Sequence, residues 1–115
     1  MKKVEAIIRK TKFEEVKDSL HEVGIDFLTF WEARGVGQAH QERVYRGIRY
    51  DTGCIERIYV TFFCNDEFVE PAVQTLIKSS RTGEIGDGRV FISNLESAYR
   101  IRTGEEGSNA FGTKK

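Results

Sequence analysis

The spacing of apolar and polar residues divides the first part of the chain into a strand pattern followed by a helix pattern. The run Val4–Arg9 is rich in β-branched residues, which is typical of a buried strand. Apolar residues then recur at helical spacing, at Phe13, Val16, Leu20 and Val23. We expect Thr11 and Glu14 to form a capping box where this helix begins. Gly24 is the expected glycine at its C-terminal end.

A strand pattern returns over residues 25–34, and after a long polar interval the same order of elements recurs. In the first of these strands the two faces are Phe27, Thr29, Trp31 and Ala33 against Leu28 and Phe30. The later elements are a strand over 55–64, a helix over Asp66–Lys78 and a strand over 89–92. Apolar residues at i, i+3, i+4 and i+7 mark one face of this helix, namely Val69, Ala72, Val73 and Leu76. Pro71 lies near its first turns, where a missing donor costs least.

Two successive strand–helix–strand units in 115 residues predict a single α+β domain that spans residues 1–115. The expected architecture is a ferredoxin-like βαββαβ sandwich, an antiparallel four-stranded sheet with both helices on one face. The other face of such a sheet has no cover. We expect Phe62, Cys64 and their neighbours to lie on this uncovered face, and because they are too apolar for water we expect the chain to self-associate.

Two segments do not fit a plain sandwich. The interval from Gly35 to Gly53 is longer than most strand connections and has little apolar content, so we expect a mobile, functional loop. Its two tyrosines, Tyr45 and Tyr50, either anchor a partner or accept a modification, or one of them folds back on the domain. The second segment is SAYRIRTGEEG, residues 97–107. A period of two predicts a short strand there with Arg100 and Arg102 side by side.

Charge and cysteine content exclude several classes of protein. Lys plus Arg and Asp plus Glu number 18 each, so no global field attracts nucleic acid or an anionic membrane. Cys54 and Cys64 have neither the density of a disulfide framework nor the spacing of metal ligands, and His21 and His40 form no cluster with them. No apolar run approaches the roughly 20 residues of a membrane span, and a signal peptide pattern is absent. These features predict a soluble, cytoplasmic protein without structural zinc.

The run RTGEIGDGRVF, residues 81–91, approaches the phosphate-binding P-loop pattern but departs from it in two ways. Val90 stands where a P-loop has a magnesium-binding hydroxyl, and the run follows a helix pattern and precedes a strand, the reverse of a P-loop. Its glycines would still let backbone amides approach a ligand. Arg89, Arg100 and Arg102 are suited to phosphate, because a guanidinium offers a rigid fork of donors to anionic oxygens.

Two interpretations of these residues remain open on physical grounds. In one, the glycine run and the arginines bind a nucleotide triphosphate. In the other, the glycines only form tight turns and the arginines pair with Glu105, Glu106 or Asp87. No Ser/His/Asp or Cys/His arrangement stands out, and the adjacent carboxylates Glu14 and Glu15 sit on a solvated helix face. The sequence therefore offers little support for catalysis.

Five segments together resemble the PII nitrogen-regulatory signal-transduction proteins, in the same order and nearly the same spacing. They are MKKVEAIIR, RGVGQ, YRGIRY, TGEIGDGRVF and RIRTGEE. The resemblance covers nearly the whole chain. It implies a homotrimer that binds ATP or ADP in clefts between subunits, with a T-loop at about 36–54, a B-loop at about 81–89 and a C-terminal loop at about 100–115. It also implies a non-catalytic regulator that controls an ammonium transporter or a nitrogen-metabolism enzyme through the T-loop and meets the membrane only through a transporter.

The resemblance implies a set of site residues as well. The nucleotide-binding residues would be Gly86, Asp87, Gly88 and Arg89 on one wall, Arg100 and Arg102 from the adjacent subunit on the other, and Thr29, Gly35 and Gly37 completing the cleft. Gln38 corresponds to the glutamine that binds 2-oxoglutarate and Mg²⁺ in the family. Tyr50 falls where many bacterial members are uridylylated.

Several residues depart from the family pattern. The segment between Gly37 and Tyr45 is one residue shorter than in typical members, which bears on the placement of Gln38. Arg57 stands where a lysine usually contacts 2-oxoglutarate, and Thr61 stands where a glutamate usually partners that lysine. Arginine and lysine are not interchangeable at a tight carboxylate site. Nucleotide binding is therefore better supported than 2-oxoglutarate sensing.

Two further departures concern the loop residues. Arg89 replaces a lysine, a change that a phosphate tolerates. Arg49, next to Tyr50, replaces a residue that is commonly acidic, which weakens the case for uridylylation. The alternative interpretation is a PII-like trimer with slow ATPase activity or with a different small-molecule or metal ligand.

Overall fold

A computed structural model describes residues 1–36, 42–45, 48–51 and 55–111, with 42–45, 48–51 and 55 described by their backbone only. The elements in chain order are β1 (Lys2–Arg9), α1 (Phe13–Glu22), β2 (Thr29–Gly35), β3 (Glu42–Tyr45), β4 (Ile48–Asp51), β5 (Ile55–Cys64), α2 (Val69–Ser80) and β6 (Gly88–Asn94). Short 3₁₀ turns occupy Lys10–Lys12, Asp66–Phe68 and Gly107–Ala110. Among the described residues, no helix has the length and apolar character needed to cross a bilayer.

The main sheet has the strand order β2-β5-β1-β6, and each neighbouring pair is antiparallel. Helix α1 connects β1 to the edge strand β2, and helix α2 connects β5 to the opposite edge strand β6. This order and connectivity confirm the ferredoxin-like βαββαβ sandwich. Strands β3 and β4 form a separate two-stranded sheet.

The core lies between the helices and one face of the main sheet. Alternate residues of β1, Val4, Ala6 and Ile8, are buried there, as the period of a strand requires. The helices contribute residues at helical spacing, Phe13, Val16 and Leu20 from α1 and Ala72 and Leu76 from α2. The predicted apolar faces of both helices are therefore confirmed.

The predicted position of Phe62 and Cys64 on the uncovered face is wrong. Phe62 is 2% exposed and Cys64 is 4% exposed, and both belong to the core. Phe62 pairs with the buried Val4 and so shares its face of the sheet. The error has a physical reason: Phe62 and Phe63 are adjacent, so the apolar pattern fits either phase, and a shift of one residue turns every side chain to the other face.

The sheet face opposite the helices, here called the open face, is nevertheless apolar. Trp31, Phe63 and Phe91 are 48%, 45% and 47% exposed. Tyr59 stacks on Trp31 with ring centroids 4.6 Å apart, and the Tyr59 hydroxyl donates a hydrogen bond to the Glu5 carboxylate. An uncovered apolar face is thus present, but it is built from other residues than those expected.

The two ends of helix α1 differ in how well they were predicted. The helix begins at Phe13, and Lys12 before it makes no side-chain capping hydrogen bond, so the capping box of Thr11 and Glu14 is wrong. A 3₁₀ turn takes its place, in which the Phe13 amide donates to the Lys10 carbonyl. At the other end Gly24 has φ +95° and the Ile25 amide reaches the Leu20 carbonyl, so the predicted C-terminal glycine is confirmed.

The hairpin of β3 and β4 was not predicted, because the interval from Gly35 to Gly53 was interpreted as a loop. Tyr45 pairs with Ile48, so two residues join the strands. A usable signal was present in the sequence. Gly47 is one of those two residues, and glycine between two β-prone runs is typical of a tight hairpin turn.

Candidate functional site

The glycine-rich segment between α2 and β6, here called the glycine loop (82–88), is organised around the carboxylate of Asp87. One oxygen, Oδ2, accepts hydrogen bonds from the amides of Thr82 at 2.8 Å and Gly83 at 2.9 Å. The other, Oδ1, accepts from the Thr82 hydroxyl at 2.5 Å and from Arg9 Nε at 2.9 Å. Four donors therefore converge on one carboxylate.

These donors hold the pKa of Asp87 well below its usual range, with the Thr82 hydroxyl as the largest cause. Burial acts against this effect but is outweighed. Because the pKa is lower in the folded protein than in the unfolded chain, where it is about 3.9, the ionised carboxylate stabilises the fold at all higher pH values. That contribution is lost as the pH falls from the pKa of Asp87 in the unfolded chain toward its pKa in the folded protein.

The glycines of this loop have positive φ values that other residues rarely adopt, and at Gly88 there is no space for a side chain. Gly83, Gly86 and Gly88 have φ values of +90°, +104° and +106°. A Cβ atom on Gly88 would lie 1.7 Å from the carbonyl oxygen of Ile7 in β1. The loop thus turns sharply and enters β6 in close contact with the β1 backbone, so the interpretation of the glycines as turn formers is correct in this respect.

Two backbone amides at the tip of the glycine loop have no acceptor among the described residues. The amides of Thr82 and Gly83 donate to Asp87, and the amide of Glu84 donates to the Thr82 hydroxyl at 3.1 Å. In the described part of the chain, the amides of Ile85 and Gly86 donate to no protein acceptor. Adjacent free amides in a glycine turn form a concave site that is suited to anionic oxygens.

A cleft of about 350 Å³ lies beside the loop, between β1, α2 and β6. Its apolar walls include Ile8, Ile77 and Val90, and its charged lining consists of Arg81, Asp87 and Arg89. Arg89 is exposed and pairs with Ile7 across the strands. The arrangement therefore combines an apolar surface, free amides and guanidinium groups within one region.

Arg57 adds a buried positive charge at the nearby end of β5. It pairs with Arg9 in β1 and with Ala33 in β2, and it is 9% exposed. Burial is the main cause that lowers the pKa of Arg57, and the charge of Arg9 lowers it further. Within the described residues its guanidinium donates one hydrogen bond, from Nη1 to the Glu56 carbonyl at 3.2 Å. Most of its donors therefore have no acceptor in the part of the chain that the structure describes.

Arg100 and Arg102 do not lie on a strand, and the predicted short strand is wrong. Residues 101–103 form a turn, which the Gly104 amide closes by donating to the Arg100 carbonyl at 2.7 Å. A period-two pattern that is only a few residues long does not distinguish a strand from such a turn. Arg100 lies 3.7 Å from Glu105 and donates to the Asn109 carbonyl at 3.3 Å, whereas Arg102 is exposed.

Comparison with known proteins identifies the chain. Residues 1–105 match the sequence model of the family described as nitrogen regulatory protein P-II. Proteins of that name from Bradyrhizobium diazoefficiens and Azospirillum brasilense are 43% and 42% identical to the chain, and one from Haemophilus influenzae is 39% identical. Each comparison covers 96% of this chain and 99% of the relative. The chain belongs to the PII family. PII proteins are non-catalytic signalling proteins of nitrogen regulation, so the predicted family and the absence of an enzymatic role are confirmed.

The PII resemblance named further site residues, and the structure places some of them. Thr29 begins β2 and pairs with Thr61, whose buried hydroxyl has no hydrogen-bond partner in the described part of the chain. Gly35 ends β2 and pairs with Ile55. Gly37 and Gln38 lie outside the described residues. Tyr50 lies in β4, where only the backbone is described.

The sequence interpretation missed two residues that build this part of the PII fold. Arg9 contributes the guanidinium beside Asp87, and Thr82 contributes the hydroxyl that binds both Asp87 and the Glu84 amide. Arg9 stands 78 positions from Asp87 in the chain, so no local pattern links them. The Thr82 side chain had a signal, since a threonine before a glycine turn commonly bonds to nearby backbone.

Proposed function

We propose that this PII protein is a cytoplasmic sensor that binds ATP or ADP at the glycine loop and signals through residues 36–54 to an ammonium transporter or a nitrogen-metabolism enzyme. The observation that carries the proposal is that the amides of Ile85 and Gly86 have no acceptor within the described residues, in a loop that leads directly to the exposed Arg89. Phosphate oxygens need several donors at once, and this loop offers them without a P-loop lysine.

The proposed site uses residues from two subunits of a homotrimer. The glycine loop with Arg89 forms one wall, and Arg100 and Arg102 of a neighbouring subunit form the other. The remaining proposed cleft residues are Thr29, Gly35 and Gly37. The open face supports assembly, because an apolar sheet surface of this kind is a common site of protein association.

Light scattering is expected to give about three times the chain mass of 13.2 kDa at micromolar concentration. Phe63→Lys places a charge on the open face and is expected to reduce the mass toward that of one chain. The matched control is Phe27→Lys, which makes the same change at a residue that is 81% exposed and precedes β2. A monomer mass for the unaltered protein would contradict the trimer.

Calorimetry is expected to detect ATP and ADP binding. Arg102→Ala is expected to weaken the affinity for ATP more than the affinity for ADP. A charge-assisted phosphate contact contributes about 1.5–3 kcal/mol, which corresponds to roughly a ten- to hundredfold loss of affinity. Lys17→Ala, on α1, removes a positive charge that pairs with Glu14 at 2.9 Å and is expected to leave ATP affinity unchanged.

The double variant Arg100→Ala/Arg102→Ala extends this test. If it folds and binds ATP as the unaltered protein does, then these arginines serve only the C-terminal turn. In that case the proposed second wall of the site is wrong.

We propose 2-oxoglutarate, together with Mg²⁺ and ATP, as a second ligand, with Gln38 and Arg57 as the contacting residues. The supporting observation is that the buried Arg57 guanidinium makes one hydrogen bond within the described residues. A buried guanidinium with unused donors is costly unless an anion completes its hydrogen bonding. Titrations of 2-oxoglutarate with and without MgATP test this ligand.

Modification of Tyr50 stays a prediction, since only its backbone is described.

A further inference from the structure

We infer that Arg9 and Asp87 are a positioning pair, which holds the glycine loop in the shape that binds phosphate while neither side chain contacts the phosphate itself. The inference rests on the proposed nucleotide function and assigns a role to two residues within it. It also changes the role predicted for Asp87, which was expected to line the wall of the nucleotide cleft.

The hydrogen bonds of Asp87 leave its carboxylate little capacity to act as a ligand. Its two oxygens already accept from two amides, one hydroxyl and one guanidinium. A carboxylate is also repelled by phosphate, and here the guanidinium of Arg9 offsets its charge at 2.9 Å. Both side chains are about one-quarter exposed, at 26% for Arg9 and 24% for Asp87. Asp87 also lines the adjoining cleft, but its carboxylate oxygens are already occupied by donors of the loop and of Arg9.

Arg9 determines the direction of one of the free amides. Its Nη2 donates to the carbonyl oxygen of Ile85 at 3.1 Å. The peptide between Ile85 and Gly86 is planar and trans, so its N–H group points opposite to its carbonyl oxygen. With the carbonyl held toward Arg9, the Gly86 amide must point away from Arg9. The same guanidinium thus secures the base of the loop through Asp87 and orients its tip through Ile85.

The position of Arg9 in the fold explains why it suits this role. It is the last residue of β1, an inner strand of the main sheet, and it pairs with Arg57 in β5. A residue on a packed strand has little freedom, so its contacts fix the loop relative to the sheet. Preorganised donors cost little to order when a ligand binds, and this is the effect that the pair provides.

The test compares Asp87→Asn and Arg9→Lys with the unaltered protein by calorimetry, using ATP and AMP as probes. Asparagine keeps the shape of the side chain but places a donor where four donors already converge. Lysine keeps the charge but lacks the fork that reaches both Asp87 and the Ile85 carbonyl. Each variant is expected to weaken ATP binding about tenfold and AMP binding much less, because AMP lacks the outer phosphates. A purely structural role would weaken both nucleotides alike.

The matched control is Asp66→Asn. Asp66 also forms a charged contact, 2.7 Å from the amino terminus, but far along the chain from the loop. It is expected to leave both affinities unchanged.

If Asp87→Asn does not fold, Arg9→Lys carries the test alone. Unaltered protein that binds neither nucleotide would contradict the proposed function. The positioning role alone would be contradicted if the unaltered protein binds ATP and the variants bind it equally well. It would also be contradicted if the variants lose affinity for ATP and for AMP by the same factor.

Discussion

Replacing residues 42–51 by two glycines is expected to abolish partner binding and to leave assembly and most of the ATP affinity intact. This segment contains both strands of the β3–β4 hairpin, which forms a sheet of its own apart from the main sheet. Glu42 and Asp51 pair at its open end, and Cα atoms paired in this way lie only about 4.5–5.5 Å apart. Two glycines span such a distance, so they are a suitable replacement for the hairpin.

The decisive measurement is a pull-down from membranes and from cytosol with intact and shortened protein, each in the presence of ATP or of ADP. Intact protein is expected to retain different partners in the presence of ATP and in the presence of ADP. Light scattering and ATP calorimetry on the shortened protein are the controls for its assembly and its nucleotide site. If the shortened protein keeps the same partners with the same nucleotide dependence, the hairpin is not the signalling segment.

The expected nucleotide dependence has a thermodynamic basis. A ligand shifts a conformational equilibrium only by the difference in its affinity for the two conformations. The proposed function therefore requires that ATP and ADP differ in their affinity for the partner-competent and partner-incompetent states of the protein. By the same linkage, a partner that favours the ADP state must raise the affinity for ADP by an equal factor. Calorimetry of either nucleotide in the presence of a purified partner would measure that factor.

The fold could be predicted from sequence because its elements have strong and different periods. The spacing of Phe13, Val16 and Leu20 suits a helix and no strand, and the run of β-branched residues at the start of the chain suits a buried strand. The phase of β5 could not be predicted in this way. Phe62 and Phe63 are both apolar, and only the pairing of Phe62 with Val4 decides which of them enters the core.

Local patterns were less reliable than long ones. Thr11 and Glu14 match a capping box, but the 3₁₀ turn over Lys10–Lys12 supplies backbone bonds at the same place. The alternation of Arg100 and Arg102 matches a strand, but it spans so few residues that a turn closed by Gly104 accommodates it equally well. In both cases a backbone hydrogen bond, which sequence patterns do not reveal, determined the outcome.

The position of the candidate site could be predicted from the sequence, but the contacts between its residues could not. Three glycines in the glycine loop mark a place where the backbone turns sharply, and their positive φ values agree with that interpretation. The part played by Asp87 depends on Arg9, and these residues become neighbours only when β1 pairs with β6. A contact between residues so distant in the chain is a product of the sheet topology, which local spacing does not encode.

Gly88→Ala is expected to cause the largest loss of stability of the substitutions considered, about 4 kcal/mol in the free energy of unfolding from strain and overpacking together. One part is strain, because alanine at φ +106° costs of order 1–3 kcal/mol. The other part is a clash, because its Cβ would lie 1.7 Å from the Ile7 carbonyl oxygen and 2.9 Å from the Ile7 carbonyl carbon. These are backbone atoms of a central strand, so they cannot rotate away as a side chain would.

The matched control is Gly83→Ala, in the same loop. Gly83 also has a positive φ, +90°, but no atom lies within 4 Å of the position of its added Cβ. Its expected cost is therefore strain alone, about 1–2 kcal/mol. Denaturant unfolding measures both variants at one protein concentration, because the proposed assembly would make stability depend on concentration. Equal losses for the two variants would show that β6 moves away from β1 at little cost, and the close approach at Gly88 would then not constrain the loop.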